Sequence, residues 1–143
     1  MTEYDTFESM NLSDNLLRGI FSHGFEKPSN IQQKTINIIK DGHDLIAQSQ
    51  SGTGKTGAFV IGSLSRIEED NKNPQIIILS PTRELSTQIN EVANSISHYL
   101  NIKSILLIGG NMMNIYDIKN NIKDKQLIIG TPGKIYDLIN RKI

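Results

Sequence analysis

The chain has 143 residues, 15 basic and 15 acidic, with a formal net charge of zero and no cysteine or tryptophan. That length predicts one domain with a real core, the lack of cysteine excludes a disulfide framework and thiolate metal sites, and the balanced charge excludes a global field for polyanions. No run approaches the roughly 20 apolar residues of a membrane span, and the polar start Thr2-Glu3-Tyr4-Asp5 is no signal or transit peptide, so the expectation is a cytoplasmic or otherwise intracellular protein with no membrane partner.

After an isolated Phe7 and Met10, Asn11-Leu12-Ser13 reads as an N-cap before a helix through Leu16, Leu17, Ile20 and Phe21, closed by Gly24. Phe25 to Ser29 is an extended turn punctuated by Pro28, and Ser29 or Asn30 caps a second helix that runs to Lys40. Leu45-Ile46-Ala47 reads as a central strand feeding a glycine-rich loop, followed by a helix from about Lys55 to Glu69. Gln75 to Leu79 is a continuous β-branched run of the kind found in a strand covered on both faces. A helix from Arg83 through Leu100, a run from Ser104 to Ile108, a weaker helix from about Met113 to Ile122, a run from Gln126 to Ile129 and a last helix through Ile135, Leu138 and Ile139 complete the order. Strands alternate with helices and the runs lack period-two alternation. The fold class is therefore α/β, a parallel sheet with helices on both faces and ligands beyond the carboxyl ends of the strands. Each of those ends carries a polar or glycine-rich signal. Charge is also uneven: residues 1–75 carry seven basic and ten acidic side chains, residues 101–143 seven and three. A polyanion would favour the second part, although a solvated set of lysines has the same signature. His23, His43 and His98 have no ligand-like spacing.

The strongest chemical signal is Ser49-Gln50-Ser51-Gly52-Thr53-Gly54-Lys55-Thr56. Glycines 52 and 54 let the backbone pass close to a polyphosphate with its N–H groups turned inward, and a helix opening near Lys55 points its positive end at the same place. Lys55 then reaches the β and γ phosphates and the Thr56 hydroxyl ligates Mg²⁺, which makes these two the catalytic candidates and Thr56 the metal candidate. Ser49 stands where the general pattern asks for glycine. The plain alternative is a glycine-rich turn, against which stands the order strand, loop, helix.

Five separated signals resemble one family, the DEAD-box ATP-dependent RNA helicases, and most closely its translation-initiation factor four-A branch. Gly24 to Gln32, with Phe7 as the lone aromatic upstream, resembles the family's Q motif; Ser49 to Thr56 resembles motif I, with Ser49 at the family's usual alanine. Pro81-Thr82-Arg83-Glu84-Leu85 resembles motif Ia, Gly109-Gly110 the paired-glycine motif, and Thr131-Pro132-Gly133-Lys134 motif Ib, where Lys134 keeps the charge of the usual arginine but loses its planar fork. The resemblance implies a RecA-like fold with ATP and Mg²⁺ as cofactors. It implies nucleotide contacts from Phe7, Phe25, Lys27, Gln32 and residues 49–56, with the planar amide of Gln32 selecting adenine. It further implies a sequence-independent RNA-backbone platform of Pro81, Thr82, Arg83, Gly109, Gly110, Thr131, Pro132 and Gly133.

By the same resemblance, residues 1–40 are the Q-motif region with the N-terminal helices, and 41–143 the first part of a RecA-like domain, one structural domain in all. No Asp-Glu-Ala-Asp stretch is present. The sheet is therefore expected to lack its C-terminal strands, leaving apolar surface on Ile128, Ile129 and the last helix, and hydrolysis is expected to need groups beyond this chain. Expected partners are RNA, a second RecA-like lobe of the same parent chain and a helicase-activating protein. The leading expectation is the N-terminal ATP- and RNA-binding part of an ATP-dependent RNA helicase. The alternatives are a non-catalytic ATP-dependent RNA-binding module and another P-loop NTPase without an RNA role, which would have no use for an adenine reader.

Overall fold

The computed structural model describes residues 4–110 and 114–143. Those residues form two compact units, one built from the chain up to Arg66 together with Ser95–Leu100, the other from Ile67–Asn94 and from Asn101 onward.

In the first unit a short 3₁₀ turn, Glu8–Met10, leads to α1, Asp14–His23, then α2, Asn30–Lys40, and α3, Lys55–Ser65. The Ser13 hydroxyl caps α1 by accepting from the Leu16 N–H at 3.2 Å, and Gly24 closes the helix at a φ of 111°. Ser29 and Gln32 form a reciprocal capping box on α2. Small residues set the packing distance between helices: a Cβ on Gly19 would lie 1.8 Å from the Ile96 carbonyl oxygen, and one on Gly62 only 2.7 Å from Ile39. Beneath them Phe7, Met10, Leu16, Ile20, Ile36, Val60 and Ile61 are buried.

In the second unit β1, Ile76–Leu79, β2, Ser104–Leu107, and β3, Leu127–Gly130, form a parallel sheet in the order β1-β3-β2. The register aligns Ile77, Ile128 and Ile105, so these side chains share one face. On that face Ile118 of α5, Ile115–Ile122, and Ile135 and Leu138 of α6, Pro132–Asn140, pack over Ile105, Leu107 and Ile128. Helix α4, Arg83–Ile96, lies against the other face, where its Asn90 and Asn94 accept from the Ser104 hydroxyl at 3.0 and 2.8 Å. Both faces thus carry helices, and all four residues of β3 are buried. Gln126, fully buried just before β3, accepts from the Lys103 N–H at 2.9 Å and donates to the Asn101 carbonyl at 3.2 Å, tying the amino ends of β2 and β3 together.

Four expectations need correction. Leu45–Ala47 is not a strand: three strands, not four, are found among the described residues, and Ile46 is completely exposed. An isolated extended segment leaves its backbone groups unpaired, and none of the three strands takes it as a neighbour. β1 is covered on one face only, because α5 and α6 sit over β2 and β3 and leave Ile77 and Leu79 each 53% exposed. Ile128 and Ile129 are buried rather than bared; among the described residues of this unit the large exposed apolar groups are Ile77 and Leu79 of β1, Ile115 and Tyr116 of α5, and Tyr136 and Ile139 of α6, the last two as expected for the final helix. Helix α3 ends at Ser65 and α4 at Ile96, both short of their expected ends. The proposed start of α5 at Met113 lies outside the described residues, and the helix there begins at Ile115.

Candidate functional site

Two segments separated in sequence meet in the first unit around a cleft of about 600 Å³, lined by Phe25, Lys27, Ser29, Asn30, Ile31 and Gln32 on one side and Ser49, Gln50, Gly52, Thr53 and Gly54 on the other. Gln32 joins them. Its Oε1 accepts from the Ser29 N–H at 3.0 Å and its Nε2 donates to the Gly54 carbonyl at 3.1 Å. A primary amide has two donor hydrogens and two acceptor lone pairs, so one of each remains for a ligand. Glycine is required where the segments touch: a Cβ on Gly54, already at a φ of 93°, would lie 2.7 Å from Gln32 Nε2 and 2.8 Å from Ser29 Oγ, and one on Gly57 would meet the same Nε2 at 2.7 Å and Phe25 at 2.9 Å.

The loop fits a polyphosphate on its own geometry. Gly52 and Gly54 hold positive φ, and Gly54 is the N-cap of α3 without a side chain to cap it, so the first-turn N–H groups of the helix have no capping side chain to satisfy them. The Lys55 ammonium donates to the Ser49 carbonyl at 2.7 Å. Ser51, Lys55 and Thr56 do not line the cleft; Lys55 and Thr56 occupy the first turn of α3 immediately beyond it. Nor does Phe7, which is fully buried and stacks behind Phe25 with ring centroids 6.4 Å apart. It backs the wall rather than forming it.

In the second unit the other expected residues gather at the carboxyl ends of three neighbouring strands. Pro81, Thr82 and Arg83 follow β1, Gly109 and Gly110 follow β2, and Thr131, Pro132 and Gly133 follow β3. The Thr82 hydroxyl accepts from the Leu85 N–H at 3.1 Å, and Ser80 and Ser86 pair their buried hydroxyls beneath. The Arg83 guanidinium rests on the two glycines, where a Cβ on Gly109 or Gly110 would come within 3.0 or 2.7 Å of it. Thr131 is the N-cap of α6 with its side chain making no capping bond, and Pro132 opens the helix. This end of the sheet therefore offers a cation, hydroxyls and free N–H groups. Among the described residues no cluster of His, Asp or Glu could hold a metal ion. At the other end of the strands the Lys125 ammonium at 2.5 Å, aided by Lys103 at 3.5 Å, holds the Asp124 carboxyl below its ordinary range.

A family model, DEAD/DEAH box helicase, matches residues 29–143. The chain belongs to that family. It is 46% identical over 99% of its length to the ATP-dependent RNA helicase eIF4A of Saccharomyces cerevisiae, of which it spans 36%. Among solved structures it resembles a DEAD-box protein from Methanococcus jannaschii, with a TM-score of 0.90 and 40% identity over 98% of this chain and 38% of that one. It also resembles S. cerevisiae Dbp5 bound to RNA and ADP BeF3, with a TM-score of 0.86 and 38% identity over 97% and 35%. The chain thus spans little more than a third of the relatives it matches. These solved structures support the RecA-like α/β fold expected of a DEAD-box chain, here with three strands among the described residues. Sequence reasoning missed Ser29, Asn30, Ile31 and Gly57 in and behind the cleft. The Ser-x-x-Gln spacing of residues 29 and 32 is a capping-box signal, and it could have placed Ser29 against Gln32 in advance.

Proposed function

We propose that this chain is the N-terminal ATP- and RNA-binding part of an ATP-dependent RNA helicase that locally opens RNA duplexes. What carries the reading is the convergence of Phe25 and Gln32 with residues 49–54 on one cleft: an aromatic face and an unspent amide edge for adenine, beside a glycine loop for phosphates. Gln32 presents its remaining donor and acceptor together, which suits the adenine edge and mismatches guanine. Lys55 exchanges the Ser49 carbonyl for β- and γ-phosphate oxygens, and the Thr56 hydroxyl supplies a hard oxygen ligand for Mg²⁺, whose bound form would neutralise phosphate charge. In the second unit Arg83, Thr82, Thr131 and the N–H groups opening α6 grip RNA phosphates and 2′-hydroxyls without reading bases.

A second reading, a non-catalytic nucleotide-dependent RNA-binding module, draws on one observation: no carboxylate is among the residues that line the cleft. Hydrolysis and unwinding then belong to a protein of the relatives' length. Two measurements test the proposal. In this chain, Lys55→Ala should weaken Mg²⁺–ADP binding by about 10- to 100-fold, the worth of one or two charge-assisted bonds. In the protein extended to the relatives' length, ATPase activity should rise with RNA and vanish in the same variant. Binding unaffected by Lys55→Ala would overturn the nucleotide site; an extended protein with nucleotide binding but no RNA-stimulated turnover would leave the binding module.

A further inference from the structure

The aromatic wall of the cleft is held in place by neighbours that do not themselves line the cleft. Helix α1 ends in a turn in which Gly24, at a φ of 111°, lets the Phe25 N–H reach back to the Ile20 carbonyl at 3.3 Å. This reversal sets residues 23 and 25 side by side. The His23 and Phe25 rings pack edge to face, with centroids 4.8 Å apart and planes inclined at 70°, while Phe7 stacks behind Phe25. The imidazole is in turn anchored, because its Nδ1 hydrogen-bonds the Ser95 hydroxyl at 2.8 Å, a residue 72 positions further on. Ser95 is a firm post: α1 presses so closely on this segment that a Cβ on Gly19 would collide with the Ile96 carbonyl. His23 is half-buried and does not line the cleft, but it touches Phe25, which does.

We infer that His23 is a positioning residue for the base of the nucleotide: anchored by Ser95, its ring fixes the plane in which Phe25 offers a face to adenine. This rests on the nucleotide reading of the cleft and adds to it a side chain that acts on the base from outside the lining. An edge-to-face aromatic contact corresponds to about 2- to 10-fold in an equilibrium. His23→Ala should therefore weaken Mg²⁺–ADP binding by about 2- to 10-fold, because adenine must then order a ring that the parent chain holds ready. His23→Phe keeps an aromatic edge against Phe25 and should bind nearly as the parent does. His23→Asn keeps an amide for Ser95 but no ring, and should bind as His23→Ala does. Ser95→Ala, an exposed substitution that removes the anchor and leaves both rings, should fall between parent and His23→Ala.

The deciding experiment is a double-variant cycle read by calorimetric titration with Mg²⁺–ADP, each chain held well below its own urea midpoint so that a loss of stability alone moves nothing. Phe25→Leu keeps apolar bulk against Phe7 but removes the ring face, so it should weaken binding. If His23 works through Phe25, adding His23→Ala to Phe25→Leu should cost nothing further. A loss in His23→Ala that His23→Phe repairs and that disappears in the Phe25→Leu background establishes the positioning role. Parental affinity in both His23→Ala and Ser95→Ala, losses that add in the double variant, or a loss that His23→Phe leaves unrepaired would each overturn it, while weakened binding by Phe25→Leu kept the base wall standing. Parental affinity in Phe25→Leu would overturn the base wall and the role of His23 together, and a loss in Lys55→Ala would still uphold the phosphate loop.

Discussion

Gln32 is 3% exposed and its amide already serves two partners, the Ser29 N–H and the Gly54 carbonyl. It is a structural pin before any ligand arrives, because it ties the start of α2 to the loop that opens α3. Gln32→Ala would leave a half-buried donor and a half-buried acceptor unmatched, at a cost of about 1 kcal/mol, so a lower urea midpoint should accompany loss of preference for adenine over guanine nucleotides. A variant that lost stability while keeping its preference would assign the residue to the capping box alone. The two loop glycines should separate in the same assay. Both hold positive φ, but a Cβ on Gly52 meets nothing within 4 Å, whereas one on Gly54 meets Gln32 and Ser29. Gly52→Ala should cost about 1 kcal/mol in backbone strain; Gly54→Ala should cost more and also unseat Gln32, so it alone should abolish nucleotide binding. The sequence made the loop legible because phosphate chemistry demands those glycines and that lysine. It concealed the second use of Gln32 and the buried place of Phe7, since both depend on what the fold brings alongside.

Helices and strands differed in how far their own residues determined them. Ser13, Gly24, Ser29 and Lys40 mark the ends of α1 and α2 in the text because caps act within a turn of themselves. A strand needs a neighbour. Leu45-Ile46-Ala47 has the composition of one and no partner, and β1 is apolar throughout although α5 and α6 cover only β2 and β3. A continuous apolar run announces burial without saying which face is covered or by what. Two expectations follow for this chain. Ile46→Asp should leave the unfolding midpoint within about 0.5 kcal/mol of the parent, whereas Ile129→Ala, at a fully buried position, should cost about 2–5 kcal/mol. A large loss from Ile46→Asp would show that the segment is packed in solution. Exposed Ile77 and Leu79 on a sheet edge should also drive self-association, visible as a sedimentation coefficient that rises with concentration and falls back in Ile77→Lys; a parent chain monomeric at all concentrations would refute this.

Across the molecule, chemistry and charge divide between the two units. The cleft of Phe25, Gln32 and residues 49–54 lies wholly in the first, and the Arg83, Gly109-Gly110 and Thr131 cluster wholly in the second, which also contains the basic excess of residues 101–143. That excess does not by itself form the platform: Lys103 and Lys125 are engaged by Asp124 at the amino ends of the strands, away from the glycines. Because those ammonium groups hold the Asp124 carboxyl below its ordinary range, their stabilisation is complete at neutral pH and fades as pH falls through the lowered value. Asp124→Asn should therefore flatten the acid limb of the stability profile slightly and leave ligand binding alone. The division also predicts where each ligand protects the chain. Mg²⁺–ADP should slow amide exchange over residues 25–32 and 49–58 and leave 80–85, 108–110 and 130–134 at their free rates; a uridine oligonucleotide should do the reverse, with an affinity that falls steeply as salt rises because its contacts are to phosphate. Arg83→Ala should remove the second footprint without touching the first. Protection of both sets of amides by either ligand alone would refute independent sites within this chain and place the coupling of nucleotide to RNA in these 143 residues themselves.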